Sequence, residues 1–221
     1  MPAKDWLEKM AQPLLKRECD GAVGRVELAE ELRRPWMTKT HTGGLACYDG
    51  PEDRPLEFLG ANMGFHRSVL ERVSAFDTEI GAGALGVFED TLFSWQLAEA
   101  GFRLRYIPEA SVTHYPDPTR LKYRHALSAS RSFGASKAYV LHHWRHEHVS
   151  LPGLRNFYYS LKLALRRLLK SPRAWDEEGI DSWEMSYVAE MEKNKQFLIE
   201  SRRPRNYSKR GLRKLVAPGT A

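Results

Sequence analysis

Two adjacent carboxylates, Glu89 and Asp90, follow a loop bearing Gly81, Gly83 and Gly86 and precede an apolar-periodic segment. A carboxylate at a helix start is held in place and kept ionised by the free backbone N–H groups there. Glycines just before it let the backbone approach a ligand closely. Such a carboxylate can take the proton from a hydroxyl as that hydroxyl attacks an electrophile. The competing reading is a side chain that caps its own helix. Upstream, Gly60-Ala61-Asn62 forms a polar turn. The Asn62 amide offers a donor and an acceptor to a ligand, or else caps the turn that follows. Downstream, His114 closes a Val-Thr strand 24 residues after Asp90. A lone histidine there is a structural residue or a metal ligand. In the run from His142 to His148, His142 and His146 would share a helix face, but no HExxH motif and no third ligand accompany them. That run reads as a histidine-rich basic surface.

A succession of short elements must position these residues. Residues 4–17 read as a helix with Trp6, Leu7, Met10 and Leu14 on one face. Ala22 to Leu28 alternates as a strand. Residues 33–50 carry turn chemistry in Pro35, Gly43-Gly44 and Asp49-Gly50. Residues 56–59 read as a short strand entering the Gly60 turn, and 68–74 as a helix closed by Phe76-Asp77. Leu92, Phe93, Leu97 and Ala100 predict a helix over 90–100 that stops at Gly101. Strands are expected over 103–107, bounded by Pro108, and over 112–114.

After Pro116-Asp117-Pro118 the character changes. Residues 120–144 have helical periodicity with many cations. Leu154, Phe157, Tyr158, Leu161, Leu165, Leu168 and Leu169 then recur at helical spacing. Arg155, Lys162, Arg166, Arg167 and Lys170 occupy the other face. Pro172 is expected to end that helix, and another covers 182–201. The remainder, 202–221, reads as a flexible tail.

Of the 221 residues, 42% are apolar and 28% charged, and the mean hydropathy of -0.52 points to a soluble chain with a real core. No run of about 18 apolar residues offers a membrane span, and the first residues lack a signal-peptide stretch. Cys19 and Cys47 have no metal-like spacing and read as reduced thiols of a cytoplasmic protein. The net charge of +6 is uneven: residues 117–175 hold twelve Lys/Arg against two acids. That asymmetry suggests an anionic partner.

The order of glycine-bounded turn, short helix, Phe76-Asp77, glycine loop, Glu89-Asp90 helix and strand ending at His114 resembles the acceptor-side half of family 2 glycosyltransferases. These are inverting enzymes of the GT-A fold. The resemblance covers roughly residues 3–125. It implies an α/β fold: a partial, Rossmann-like GT-A domain over 1–118, then a basic α-helical extension over 119–201. Asp90 would be the general base, with Glu89 beside it. Gly60, Ala61 and Asn62 would lie beside the donor sugar and the acceptor. The stretch Arg34 to Thr38 resembles a segment of a subset of bacterial members, in which Trp36 would line the acceptor cleft. Trp95 would stack on a sugar, or pack in a core or interface. His114 would help hold a divalent cation on the nucleotide diphosphate, its imidazole suiting manganese better than magnesium. A nucleotide-sugar donor and a saccharide or lipid-linked acceptor are the implied partners.

Family members begin with a nucleotide-binding half that ends in an acidic DxD motif. This chain has no such motif, and Pro2 to Leu7 resembles the segment just after it. The cation is therefore expected only with that half, supplied by a longer chain or a separate subunit. Without its strands, apolar faces would be uncovered and the chain would associate, for instance as a homo-oligomer. The alternative is a non-catalytic relative that docks on a partner or on an anionic membrane surface through the Leu154–Leu169 helix. That reading places the chain at the inner face of the cell membrane. Nucleic acid is disfavoured, since no recognition motif accompanies the charge.

Overall fold

Gly21-Ala22-Val23-Gly24 packs small and β-branched residues where two neighbours and a helix crowd in, and the strand they begin is buried along nearly its whole length. The computed structural model describes residues 1–50, 56–170 and 174–215. They divide into two units, Met1–Asp77 with Glu89–Pro118, and Thr78–Phe88 with Thr119–Ala221. The first is mixed α/β and the second is helical.

In the first unit, α1 (Trp6–Leu15), β1 (Gly21–Leu28), α2 (Lys39–Gly44), β2 (Met63–Phe65), α3 (Glu89–Glu99) and β3 (Leu104–His114) follow one another. The sheet has the order β2-β1-β3, with β1 parallel to β3 and antiparallel to β2. Met10, Leu14 and Cys19 pack with Ala22, Ile107 and Ala110 beneath it. Both cysteines are free thiols, and burial pushes the Cys19 thiol up.

The sheet departs from expectation in two places. Residues 56–59 form no strand; Phe58 is instead a fully buried anchor tilted on Phe93, and β2 begins only at Met63. The two expected strands around Pro108 are one, β3. Ile107 pairs with Gly24 and Val112 with Val26, so 108–111 bulge opposite Arg25. A bulge is where a proline, which has no N–H for the ladder, can remain inside a strand. Two smaller differences follow from local bonding. The stretch 68–74 is a 3-10 turn over Arg67–Glu71, and the turn-rich 33–50 contains α2, whose start is closed by reciprocal bonds between Thr38 and His41.

In the second unit, α4 (Tyr123–Val140) continues through one π-type turn (Leu141–Arg145), and α5 (Pro152–Leu169) and α6 (Ser182–Glu200) follow. Gly134 sets the α4–α6 crossing: a Cβ there would fall 2.1 Å from the Ala189 carbonyl oxygen. The three helices meet at buried Glu184, whose Oε1 accepts from Tyr123 of α4 and from Arg167 Nε of α5 at 2.8 Å. The expected end of α5 at Pro172 lies outside the described residues.

The histidine run is a surface only at its end, where Glu147 and His148 are exposed. His142 and His143 are buried in the π-type turn. His143 donates from Nε2 to Glu200 at 2.9 Å and accepts at Nδ1 from the Asn206 N–H at 3.1 Å. His142 and His146 donate to the carbonyls of Arg203 and Tyr207, and Trp144 Nε1 to that of Gly211. These bonds hold 203–211 in place, and Tyr207 is only 2% exposed, so this stretch of the expected flexible tail is packed structure. Its cations gave no apolar period to read; its anchors are backbone carbonyls, which carry no sequence signature. None of the described helices is long and apolar enough to cross a membrane.

Candidate active site

The chain direction gathers the candidate residues of the first unit at one edge. β1 and β3 run parallel, and ligands of such sheets bind beyond the carboxyl ends of the strands. His114 is the last residue of β3 and pairs with Leu28, the last of β1. The segment carrying Trp36 leaves from that end of β1. The Gly60 turn feeds β2, which runs antiparallel, so it too lies toward the carboxyl end of β1. The helix α3 leads back to the start of β3, which brings its first residues, Glu89 and Asp90, to the same side.

The structure joins two of these features directly. Asp90 Oδ2 accepts from the Gly60 N–H at 2.6 Å, across 30 residues of sequence. Its Oδ1 accepts from the Thr91 N–H at 2.7 Å. Oδ1 also accepts from Thr91 Oγ1 at 3.3 Å, while Oδ2 keeps a lone pair for a further donor, and the carboxylate is half-buried rather than sealed. A Cβ on residue 60 would stand 3.3 Å from Oδ2, so glycine there keeps the approach clear. Gly60 and Ala61 themselves are exposed. Burial, and then the Asp90 charge, push the Glu89 carboxyl up, against an opposing backbone hydrogen bond.

Asn62 does not face a ligand. Its side chain is 2% exposed. Oδ1 accepts from Trp6 Nε1 at 2.8 Å, while Nδ2 donates to the Arg25 and Ala110 carbonyls at 2.8 and 2.7 Å. Asn62 therefore bolts α1 and the β3 bulge to β1, and both its N–H donors are consumed. The expectation that it offers hydrogen bonds to a sugar is corrected on that ground. Trp95 is half-buried and donates to Glu57 at 3.0 Å, which fixes its indole edge. Trp36 is half-buried with its ring edge-on to His41, 5.2 Å between centroids.

His114 is half-buried, and its carbonyl accepts from the Ala29 N–H at 3.0 Å. Among the described residues, no three His, Cys, Asp or Glu side chains converge as a cation site. A divalent ion needs several such donors, so this donor set does not by itself hold one.

The loop before the acids belongs to the helical unit. Gly81, Gly83 and Gly86 have φ of 91°, 86° and 121°, where a side chain is strained. Gly86 lies against Ser132, the Val87 N–H donates to Ser136 Oγ at 3.2 Å, and Phe88 tilts onto Phe133. Phe88 itself has φ of 83°. A bulky residue held there stores of order 1–3 kcal/mol, the kind of strain that collects beside functional residues. At the loop's other end Glu79 accepts from Arg203, from Asn206 at 2.7 Å and from Lys214 at 2.9 Å. Burial alone would raise the Glu79 carboxyl, yet Arg203 and Lys214 hold it below its ordinary value.

Sequence reasoning missed Glu57, Glu79 and the Gly60–Asp90 bond. Each acts on a partner about 30 or more residues away, and local periodicity carries no trace of such pairs. The strained Phe88 left one usable sign, an aromatic wedged between a glycine loop and two acids.

The family model described as glycosyl transferase family group 2 matches residues 27–175. That span contains every residue placed above except Trp6, Arg25 and the C-terminal anchors of Glu79. The small mixed sheet with helices, followed by a helical part, is consistent with a partial GT-A fold. No curated protein and no solved structure matches the chain.

Proposed function

The chain belongs to glycosyl transferase family group 2, and from that premise we propose how its carboxylates act. The substrates are a nucleotide-diphosphate sugar and a saccharide or lipid-linked acceptor. Asp90 accepts the proton of the acceptor hydroxyl. The freed oxygen bonds to the anomeric carbon, the bond from that carbon to the diphosphate oxygen breaks, and the nucleoside diphosphate leaves with inversion. The observation that supports this is the double tether of Asp90 to the Gly60 and Thr91 N–H groups, which orients a half-buried carboxylate and leaves a lone pair on Oδ2. Glu89, whose carboxyl burial pushes up, would lie beside it at the helix start.

In this reading the Gly60-Ala61 backbone and the faces of Trp36 and Trp95 meet the sugars, and His114 contributes to a cation only when further donors arrive with the nucleotide. The domain reading that goes with it assigns transfer to 1–118 and a supporting role to the helices beyond.

Release of nucleoside diphosphate from a panel of nucleotide sugars tests the assignment. Asp90→Asn is expected to lower turnover by about 10²–10⁴-fold while circular dichroism and the unfolding midpoint stay unchanged. An unaltered rate would remove Asp90 from the base role.

A further inference from the structure

The apolar stripe of α5 does not pack into the helical unit. Leu154, Phe157, Leu161, Leu165, Leu168 and Leu169 are between 49% and 86% exposed. With Tyr158 and Ala164 they fall on one continuous arc of roughly 140° at about 100° per residue. Only Leu163 of this helix is buried. What α5 turns toward α6 is its cationic side: Arg155 pairs with Glu190, Arg167 with Glu184 and Lys170 with Asp181. Lys162 and Arg166 lie over the rings of Tyr187, Trp183 and Tyr158, from 4.5 to 5.9 Å. A ring leaves a cation its whole charge, so these two border the leucine face as positive groups. The helix sequence from Pro152 to Leu169 contains no Asp or Glu.

We propose that this face of α5 docks on an anionic bilayer. The helix would lie in the interface plane, with the leucine and phenylalanine side chains at the headgroup–acyl boundary and Lys162 and Arg166 at the level of lipid phosphates. An amphipathic helix about 27 Å long, with a wide apolar face, cationic edges and no acid, has the chemistry of an interfacial helix. Charge selects this occupant over a second copy of the chain. Two α5 faces brought together would set Lys162 and Arg166 against their own kind, whereas phosphates neutralise them. The inference is independent of the transfer reading, because it rests on none of the residues of the first unit.

The experiment is flotation of the full chain with phosphatidylcholine vesicles, with and without phosphatidylglycerol, at low and high salt. The wild-type protein is expected to float with the anionic vesicles and to be released by salt. Leu161→Glu with Leu165→Glu, both at exposed positions, is expected to weaken partitioning by about a hundredfold and to leave the circular dichroism spectrum and melting curve unchanged. Failure of the wild-type chain to float with anionic vesicles overturns the proposal, as does equal flotation of the variant. A concentration-dependent dimer that the same variant disperses, without vesicle binding, overturns it in favour of a second copy. Transfer activity is read separately with Asp90→Asn, so either idea can fail alone.

Discussion

Asp90 and Glu200 are both carboxylates near the end of a helix, yet the molecule uses them in opposite ways. Asp90, in the mixed unit, takes one backbone N–H on each oxygen and stays half-open. Glu200, in the helical unit, is 1% exposed, and its oxygens accept from His143 at 2.9 Å, Arg203 at 2.7 Å and Gln196. Burial would raise its carboxyl, but those partners hold it down at about 2. A carboxylate sealed from solvent can stabilise a fold but cannot exchange a proton with a substrate. A carboxylate oriented by backbone donors and left half-open can do both. Exposure, rather than residue type or the number of hydrogen bonds accepted, separates a site from a lock.

That contrast can be broken first at Asp90, where the loss of turnover under Asp90→Asn should be the largest effect on function and among the smallest on stability. The mirror image is Glu200→Leu, which leaves the His143 N–H and Arg203 without their buried partner. Removing one member of such a pair costs about 3–5 kcal/mol, read as a lower urea midpoint. Equal stability in this variant would reduce the lock to a crystal-like contact without energetic weight.

Acid titration sharpens the same point. The folded value for Glu200 is depressed from 4.5 to about 2, so its stabilisation is complete above pH 4.5 and is lost as pH falls toward 2. The lost amount is about 3 kcal/mol. His142 adds to the acid loss in a higher window: burial pushes its imidazole below the ordinary 6.5, so the unfolded chain takes up that proton first as pH drops below 6.5. Urea midpoints across the acid range should fall in the wild type, and the lower limb should flatten in Glu200→Gln. A smaller effect is expected at the α4–α6 crossing. Gly134→Ala must push the helices apart at Ala189, at a cost of about 1–3 kcal/mol in thermal unfolding, with transfer unaffected.

Much of this was readable from the chain. The spacing of Leu92, Phe93 and Leu97 predicts α3, and those residues are its buried face. The Leu154–Leu169 period predicts α5, and the strand closes on His114 as expected. Length and period are local properties, and a helix of eighteen residues states them many times over. The three-residue β2 states nothing; it is a strand only because β1 is there to bond it. Asn62 read equally well as a ligand or a cap, and Trp6, Arg25 and Ala110 decided the matter.

The sequence by itself determined the helices, the acidic pair behind its glycine loop, the basic third and the family resemblance. These depend on neighbours within a turn or two. The tertiary structure alone decided which carboxylate is held half-open and which is sealed, and that His142, His143 and His146 clasp 203–211. It also decided that α5 turns Arg155, Arg167 and Lys170 toward the acids of α6 and its leucines outward. The physical reason for that inversion lies on another element. α6 presents Trp183, Tyr187, Glu184 and Glu190, rings and acids that suit guanidinium and ammonium groups on long apolar stems better than leucine.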